Sequence, residues 1–243
     1  LIVQSNESYE REVENLNILI SNKVDVILLS VSKETKNFDH FKHVMGMNLP
    51  MVFFDRIVKD LAADNVLVDD ISGAITAVNH LLETGKKRIA LCNGNPNLLI
   101  SQNRLKGYLA ALEGKGVPID NRLIISGETP LEAETETLRL LNLDSPPDAI
   151  FAISDLTMTG VMKAIYQTDL RIPDDIAIIG FCEEIFRTMY NPSLTAIQPM
   201  GFEIGKIAAE VLFEKISRNQ ESKPQLEPRT IYLEGNLVKG EST

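Results

Sequence analysis

Five polar clusters follow apolar runs along this chain, and each carries groups able to hold a small polar molecule. Ser30 and Ser32 follow VDVILL, Asp55-Arg56 follow MVFF, and Asn93-Gly94-Asn95 follow IALC. Ser154-Asp155 follow IFAI, and Cys182-Glu183-Glu184 follow IIGF. Carboxylates accept hydrogen bonds from hydroxyl and N–H groups. An arginine such as Arg104 offers a planar fork of donors that grips two hydroxyls, a carboxylate or a phosphate at once. One such cluster carries little information, since a strand must end in something polar, and Asp155 taken alone reads as a helix N-cap. Five in equivalent places point to a shared crevice, because ligands of open parallel sheets bind beyond the carboxyl ends of the strands.

The elements that must position these groups alternate in type. Apolar or β-branched runs at 1–5, 24–31, 51–55, 65–69, 88–94, 123–127, 148–154 and 176–181 are mostly separated by helical patterns, the signature of parallel sheets with crossover helices. Ile71, Ala74, Ile75, Val78, Leu81 and Leu82 fall on one stripe, with Asp69 or Asp70 as N-cap and Gly85 as the stop. Similar stripes run through Met158, Val161, Met162 and Ile165, and from Ile204 through Ile216. Near the C-terminus LTAIQP (194–199) and RTIYLEGNLV (229–238) flank the last helix with no room for further full β-α units, and read as crossings and edge strands. The Pro146-Pro147 and 219–228 breaks are too short for independent linkers.

Composition removes several classes of function. At 243 residues and 44% apolar, with no run long enough to cross a bilayer, the chain reads as soluble and globular, with one large core or two small ones. Its formal charge is −10, and no basic cluster is denser than Lys86-Lys87-Arg88, so this segment by itself is not expected to hold DNA. Cys92 and Cys182 read as free strand-end thiols of a reducing compartment. His40, His43 and His80 lie on predicted helices away from the strand ends; His40 and His43 could form half of a metal site, but a solvated helix face is the simpler reading. The acids at 132–136 read as solvated surface, and no nucleotide-binding or nucleophile-elbow motif is present, so neither a cofactor nor an enzyme activity is expected. The chain starts at Leu1, inside an apolar run, and is expected to be a segment of something longer.

Several of these segments, taken together, resemble the effector-binding domain of LacI/GalR-type transcriptional regulators, which share the periplasmic binding protein type I fold. They are PMVFFDR (50–56), the stretch from VLVDD to LCNG (66–94), RLKGYLAAL (104–112), PDAIFAISDLTMTGVMKAI (147–165), IPDDIAIIGF (172–181), NPSLTAIQP (191–199) and LVKGEST (237–243). They occur in the family's order and cover nearly the whole chain. The most specific are Asp-Arg after an apolar strand, His-Leu-x-x-x-Gly-x-x-Arg-Ile-Ala, Arg-x-x-Gly-Tyr and IPDDIAIIGF in series.

The resemblance implies an α/β fold of two Rossmann-like subdomains with parallel central sheets, joined by three crossover segments, with an effector in the cleft and homodimers along the flank. The N-terminal subdomain would be 1–70 plus 198–225, and the C-terminal one 71–197 plus 226–243. The family's helix-turn-helix module, hinge helix, and first strand and helix lie upstream and are not in this sequence, which is expected to leave a gap beside LIVQS. The flank contacts would fall on the helix at 155–168 and the segment after Cys182.

Effector contacts carry over to Asp55, Arg104, Ser154 beside Asp155, and Cys182 after Gly180-Phe181. Arg56 is as able to orient Asp55 as to touch ligand. At Cys182 the sequence departs from many relatives, which carry an aspartate there, and a thiol accepts hydrogen bonds poorly. Either Glu183 or Glu184 takes over the acceptor role, or the effector is not a polyhydroxylated sugar of the usual sort. With no tryptophan, any stacking platform is missing or built from Phe53, Phe54, Tyr108, Phe181 or Phe186. The resemblance therefore implies a cytoplasmic sensor of a sugar or related polar metabolite, whose closure alters operator affinity through the upstream module. A periplasmic solute-binding protein of the same fold, with an export signal and a membrane transporter as partner, is the rival reading.

Overall fold

A computed structural model describes residues 1–58, 61–221 and 226–243, with the backbone alone at 219–220. In chain order the elements begin with α1 (Tyr9–Ser21), β1 (Ile27–Leu29), α2 (Asp39–Gly46), β2 (Met51–Phe54), β3 (Asp64–Val68), α3 (Asp70–Glu83), β4 (Ile89–Asn93), α4 (Leu99–Gly114) and β5 (Ile124–Ser126). They continue with α5 (Pro130–Leu141), β6 (Ala149–Ala152), α6 (Asp155–Ile165), β7 (Ala177–Phe181), α7 (Glu184–Met189), β8 (Thr195–Gln198), α8 (Gly201–Gln220), β9 (Thr230–Leu233) and β10 (Asn236–Val238). The chain divides into two compact units: Leu1–Val68 with Met200–Leu233, and Asp69–Pro199 with Glu234–Thr243.

The first unit is built on a four-stranded parallel sheet in the order β1-β2-β3-β9. Leu16, Leu19, Ile27, Phe41, Val44 and Phe53 form a core on α1 and α2, with the Phe41 and Phe53 rings edge to face at 5.3 Å between centroids. Helix α8 packs against β2 and β3. Residues 1–5 form no strand, contrary to the apolar pattern of LIVQS, because strand geometry needs a hydrogen-bonding neighbour and these residues have none. A groove of about 250 Å³ lies at the edge strand β1, lined among others by Val3, Leu16, Ile27, Leu29 and Phe54.

The second unit carries a six-stranded sheet in the order β10-β8-β7-β6-β4-β5, parallel except for β10. Ala90, Cys92, Ile150, Ala152, Ile178 and Cys182 belong to one buried cluster with Met158 and Val161 of α6 and Ala133 of α5. Such near-continuous apolar strands are what a parallel sheet covered on both faces requires. The helix starts follow capping chemistry. Asp69 accepts from the backbone N–H of Ser72 at 3.0 Å and from its hydroxyl at 2.7 Å, Thr129 and Glu132 close a capping box before Pro130, and Gly85 ends the α3 turn at φ 92°. Gly107 brings α4 onto α3 so closely that a Cβ would strike the Ile71 carbonyl, and Gly160 does the same for α6 against the Pro130 carbonyl of α5.

The stretch RTIYLEGNLV divides. β9 pairs in parallel with β3 of the first unit, whereas β10 pairs antiparallel with β8 of the second. The third division of the chain thus falls between Leu233 and Glu234, later than the 225/226 boundary expected from sequence, whose first residue lies outside the described ones. The physical reason is that Tyr232 and Leu233 complete the ladder with Leu67 and Val68 before the chain leaves.

Candidate functional site

In the first unit, Ser30, Ser32, Asp55 and Arg56 lie at or beyond the carboxyl ends of β1 and β2, where strand polarity places them. Asp55 is exposed and held at φ 59°, a left-handed conformation that costs a non-glycine residue free energy and recurs at functional sites. Its amide donates to the Val66 carbonyl at 3.2 Å, which keeps it against β3. The principal partner of Arg56 is Glu7: both terminal nitrogens donate to the two carboxylate oxygens at 2.7 Å, while its Nε lies 3.7 Å from Asp55. The guanidinium holds the Glu7 carboxyl down at about 2, against the opposing effect of burial. Glu12, buried beneath the same loop, accepts from the Ser32 amide at 2.6 Å, the Thr35 hydroxyl at 2.6 Å and the His40 ring at 2.9 Å. Glu7 and Glu12 therefore fix the segment after β1, a role that sequence patterns alone do not show because the partners are far apart in the chain.

In the second unit the structure gathers Arg104, Phe181, Ser154, Asp155, Cys182 and Glu183 at the ends of β6 and β7. Arg104 is 5% exposed. Its Nε and Nη2 donate to Oδ1 of Asp70 at 2.8 and 2.7 Å, its Nη1 donates to the Ile153 carbonyl, and its guanidinium stacks 3.5 Å above the Phe181 ring. Of the aromatic candidates for a stacking platform, Phe181 is buried and its face is taken by the arginine. Ser154 caps α6, its Oγ accepting from the Thr157 amide at 3.3 Å. Asp155 accepts from the Glu183 amide at 3.2 Å, tying the start of α6 to the loop after β7.

Cys182 is fully buried in the core cluster, and its thiol donates to the Glu183 carbonyl at 3.5 Å. Burial first, and then its hydrogen bond to Asp155, push the thiol far above its ordinary range. Glu183 is the partly exposed neighbour, and burial with the nearby Asp155 charge raises its carboxyl. Glu184 is exposed in the first turn of α7.

Two histidines depart from the solvated helix face read from sequence. The His40 side chain is 8% exposed against Glu12, Tyr9 and Phe41, and His80 is buried with its Nε2 2.8 Å from the Thr243 hydroxyl. The solvated-face reading thus fails for His40 and holds for His43, which is exposed; the partners of His40 and His80 come from α1 and the C-terminal segment, outside any helical window. Among the described residues no three His, Cys, Asp or Glu side chains are placed to hold a metal ion, and no helix is long and apolar enough to cross a membrane.

Each sheet, taken by itself, carries hydrogen-bonding groups at its strand ends, where ligands of open parallel sheets bind. Residues 78–243 match the family described as a periplasmic binding protein-like domain. The chain is 31% identical over 230 residues to the HTH-type transcriptional repressor PurR of Actinobacillus pleuropneumoniae, an alignment covering 94% of this chain and 67% of that one. The chain belongs to the LacI/GalR family of transcriptional regulators. A regulatory protein of the LacI family from Chloroflexus aggregans superposes with a TM-score of 0.84 at 28% identity, over 97% of this chain and 83% of that one. A transcriptional regulator CelR–cellobiose complex superposes at 0.85 with 26% identity, over 97% of this chain and 71% of that one. The LacI/GalR chain described here thus spans about two thirds of the PurR relative's length. Its α/β architecture of two parallel-sheet subdomains is the family's effector-domain fold.

Proposed function

We propose that this chain is the effector-sensing part of a DNA-binding transcriptional regulator, responding to a sugar or related small polar metabolite. The observation that carries the reading is the similarity to a named transcriptional repressor along 94% of the chain, joined to strand-end clusters of hydrogen-bonding groups. The cellobiose of the CelR complex makes a sugar the first class to test. Operator DNA is contacted through an upstream helix-turn-helix module, and the protein works in the cytoplasm as a homodimer. Leu156, Ile185 and Met189, at 50%, 66% and 71% exposure, supply apolar area on α6 and α7 for that dimer. The named repressors favour this over an exported solute-binding protein of the same fold.

The assigned effector contacts are Asp55 in the first unit, and Arg104, Ser154, Asp155 and Glu183 in the second, with the buried Phe181 and Cys182 supporting them from behind. Glu183 serves as the acceptor that many relatives place one residue earlier. Cys182 acts through its hydrogen bonds to that loop. Effector binding changes operator affinity only to the extent that the ligand prefers one conformational state over another.

The test uses full-length protein, a panel of sugars and nucleosides read by thermal shift, and DNA from upstream of its own gene read by fluorescence anisotropy. A panel member that stabilises the protein and changes DNA affinity is the expected result. Arg104→Ala is a poor probe, since it removes the guanidinium that bonds Asp70 and the Ile153 carbonyl and stacks on Phe181 inside the protein. Glu183→Gln is expected to weaken effector binding about tenfold without lowering the ligand-free melting temperature, the loss that one charge-assisted hydrogen bond represents. Turnover of a panel member, or absence of DNA binding, would overturn the reading.

A further inference from the structure

Arg104 is the strongest cationic donor among the proposed effector contacts, yet the structure shows its charge already answered. Two of its nitrogens reach Oδ1 of Asp70, a third donates to the Ile153 carbonyl, and the guanidinium face lies on Phe181. Both side chains of the pair are largely buried, at 6% and 12% exposure, so the partnership sits where water screens it weakly. The other ionisable groups among the second unit's assigned contacts are acids: Asp155, whose Oδ1 accepts from the Glu183 amide, and Glu183, raised by burial and by Asp155. Cys182, with its thiol pushed up, supplies no charge.

We infer that Asp70 is a specificity-determining residue: by neutralising Arg104 it makes this half of the site neutral to acidic, so the effector is an uncharged hydroxyl- or N–H-bearing molecule rather than a carboxylate or phosphate. The inference rests on the effector-site reading above and sharpens it. An anionic ligand would have to compete with Asp70 for Arg104 inside a weakly screened site, and would meet Asp155 as a like charge. A neutral polyol does neither. It donates its hydroxyls to the carboxylates, and it accepts from guanidinium N–H groups that Asp70 keeps oriented. Asp70 is thus a positioning residue for Arg104 and a filter on ligand charge.

The experiment compares matched ligands on full-length protein by calorimetry: galactose with galacturonate, cellobiose with cellobionate, adenosine with its monophosphate. Wild type is expected to prefer the neutral member of any pair it binds. Asp70→Asn, which keeps the shape and releases the arginine charge, should move that preference toward the anion by about tenfold or more, the scale of effect expected for one uncompensated charge in a site. Inorganic sulfate is the ligand-independent probe: Asp70→Asn, or Asp70→Ser should the first variant fold poorly, is expected to gain sulfate-dependent thermal stabilisation that wild type lacks. A sulfate response equal to wild type in the folded variant, or tighter wild-type binding of an anionic member, overturns the assignment of Asp70. Loss of every ligand response with a clear gain in sulfate binding would instead count against the effector reading and leave the Asp70–Arg104 coupling standing.

Discussion

The two units solve the same α/β problem with different means. The second covers a six-stranded sheet with helices, and burial of strands such as Ile150–Ala152 and Ala177–Phe181 carries its stability. The first has four strands and relies on carboxylates: the buried Glu12 holds three donors and the half-exposed Glu7 clamps Arg56. A sheet with fewer covered residues buries less apolar area, so each polar tie counts for more. The difference teaches where the molecule should respond to cavities and where to charge.

The largest expected effect is a cavity in the smaller core. Phe41→Ala, at a fully buried ring, is expected to cost about 3–5 kcal/mol, with loss of hydrogen-exchange protection confined to the first unit. Equal loss across the second unit would break the comparison. Next comes Glu12→Ala, which leaves the Ser32 amide, Thr35 and His40 without their acceptor. A cost of about 2–3 kcal/mol is expected in denaturant unfolding. Gly160→Val tests the second unit's close packing. It should cost about 1–3 kcal/mol through overpacking of α6 on α5, with the first unit's exchange unchanged.

Acid sharpens the contrast with a smaller effect. Glu7 titrates lower in the folded protein than its ordinary 4.5, so its contribution is present above about 4.5 and is lost as pH falls toward about 2. Half-exposed as it is, that loss should be on the order of 1 kcal/mol and should vanish in Glu7→Gln. His80 behaves differently: burial lowers it below its ordinary 6.5, so the folded state resists protonation and stability declines as pH falls below about 6.5. The C-terminal strand and its Thr243 contact should therefore loosen in mild acid, seen by hydrogen exchange at 236–243, before the first unit weakens.

Much of the fold was legible because its signals are local. Alternating apolar runs and helical stripes marked β2, β4, β6, β7, α3 and α6 nearly to their ends, and Asp69 and Gly85 act as cap and stop over three or four residues, whereas the cap of α6 is Ser154, one residue before the Asp155 read as its cap. LIVQS failed as a strand for the opposite reason: apolar alternation states a capacity to pair, and pairing depends on a neighbour. Of the candidate site, the strand-end positions followed from sheet polarity. The pairing of Arg104 did not, because Asp70 lies 34 residues away and competed with Asp69 for the cap.

The sequence by itself determined the class of fold, the family and the strand ends where polar groups gather, since these rest on periodicity, capping and motif order. Only the tertiary structure decided which of those groups find a partner. It paired Arg104 with Asp70, Arg56 with Glu7 and His40 with Glu12, and it turned Cys182 into the core. Pairings of that kind depend on distances between elements remote in the chain, and electrostatic energy falls with distance through space, which no spacing along the sequence records.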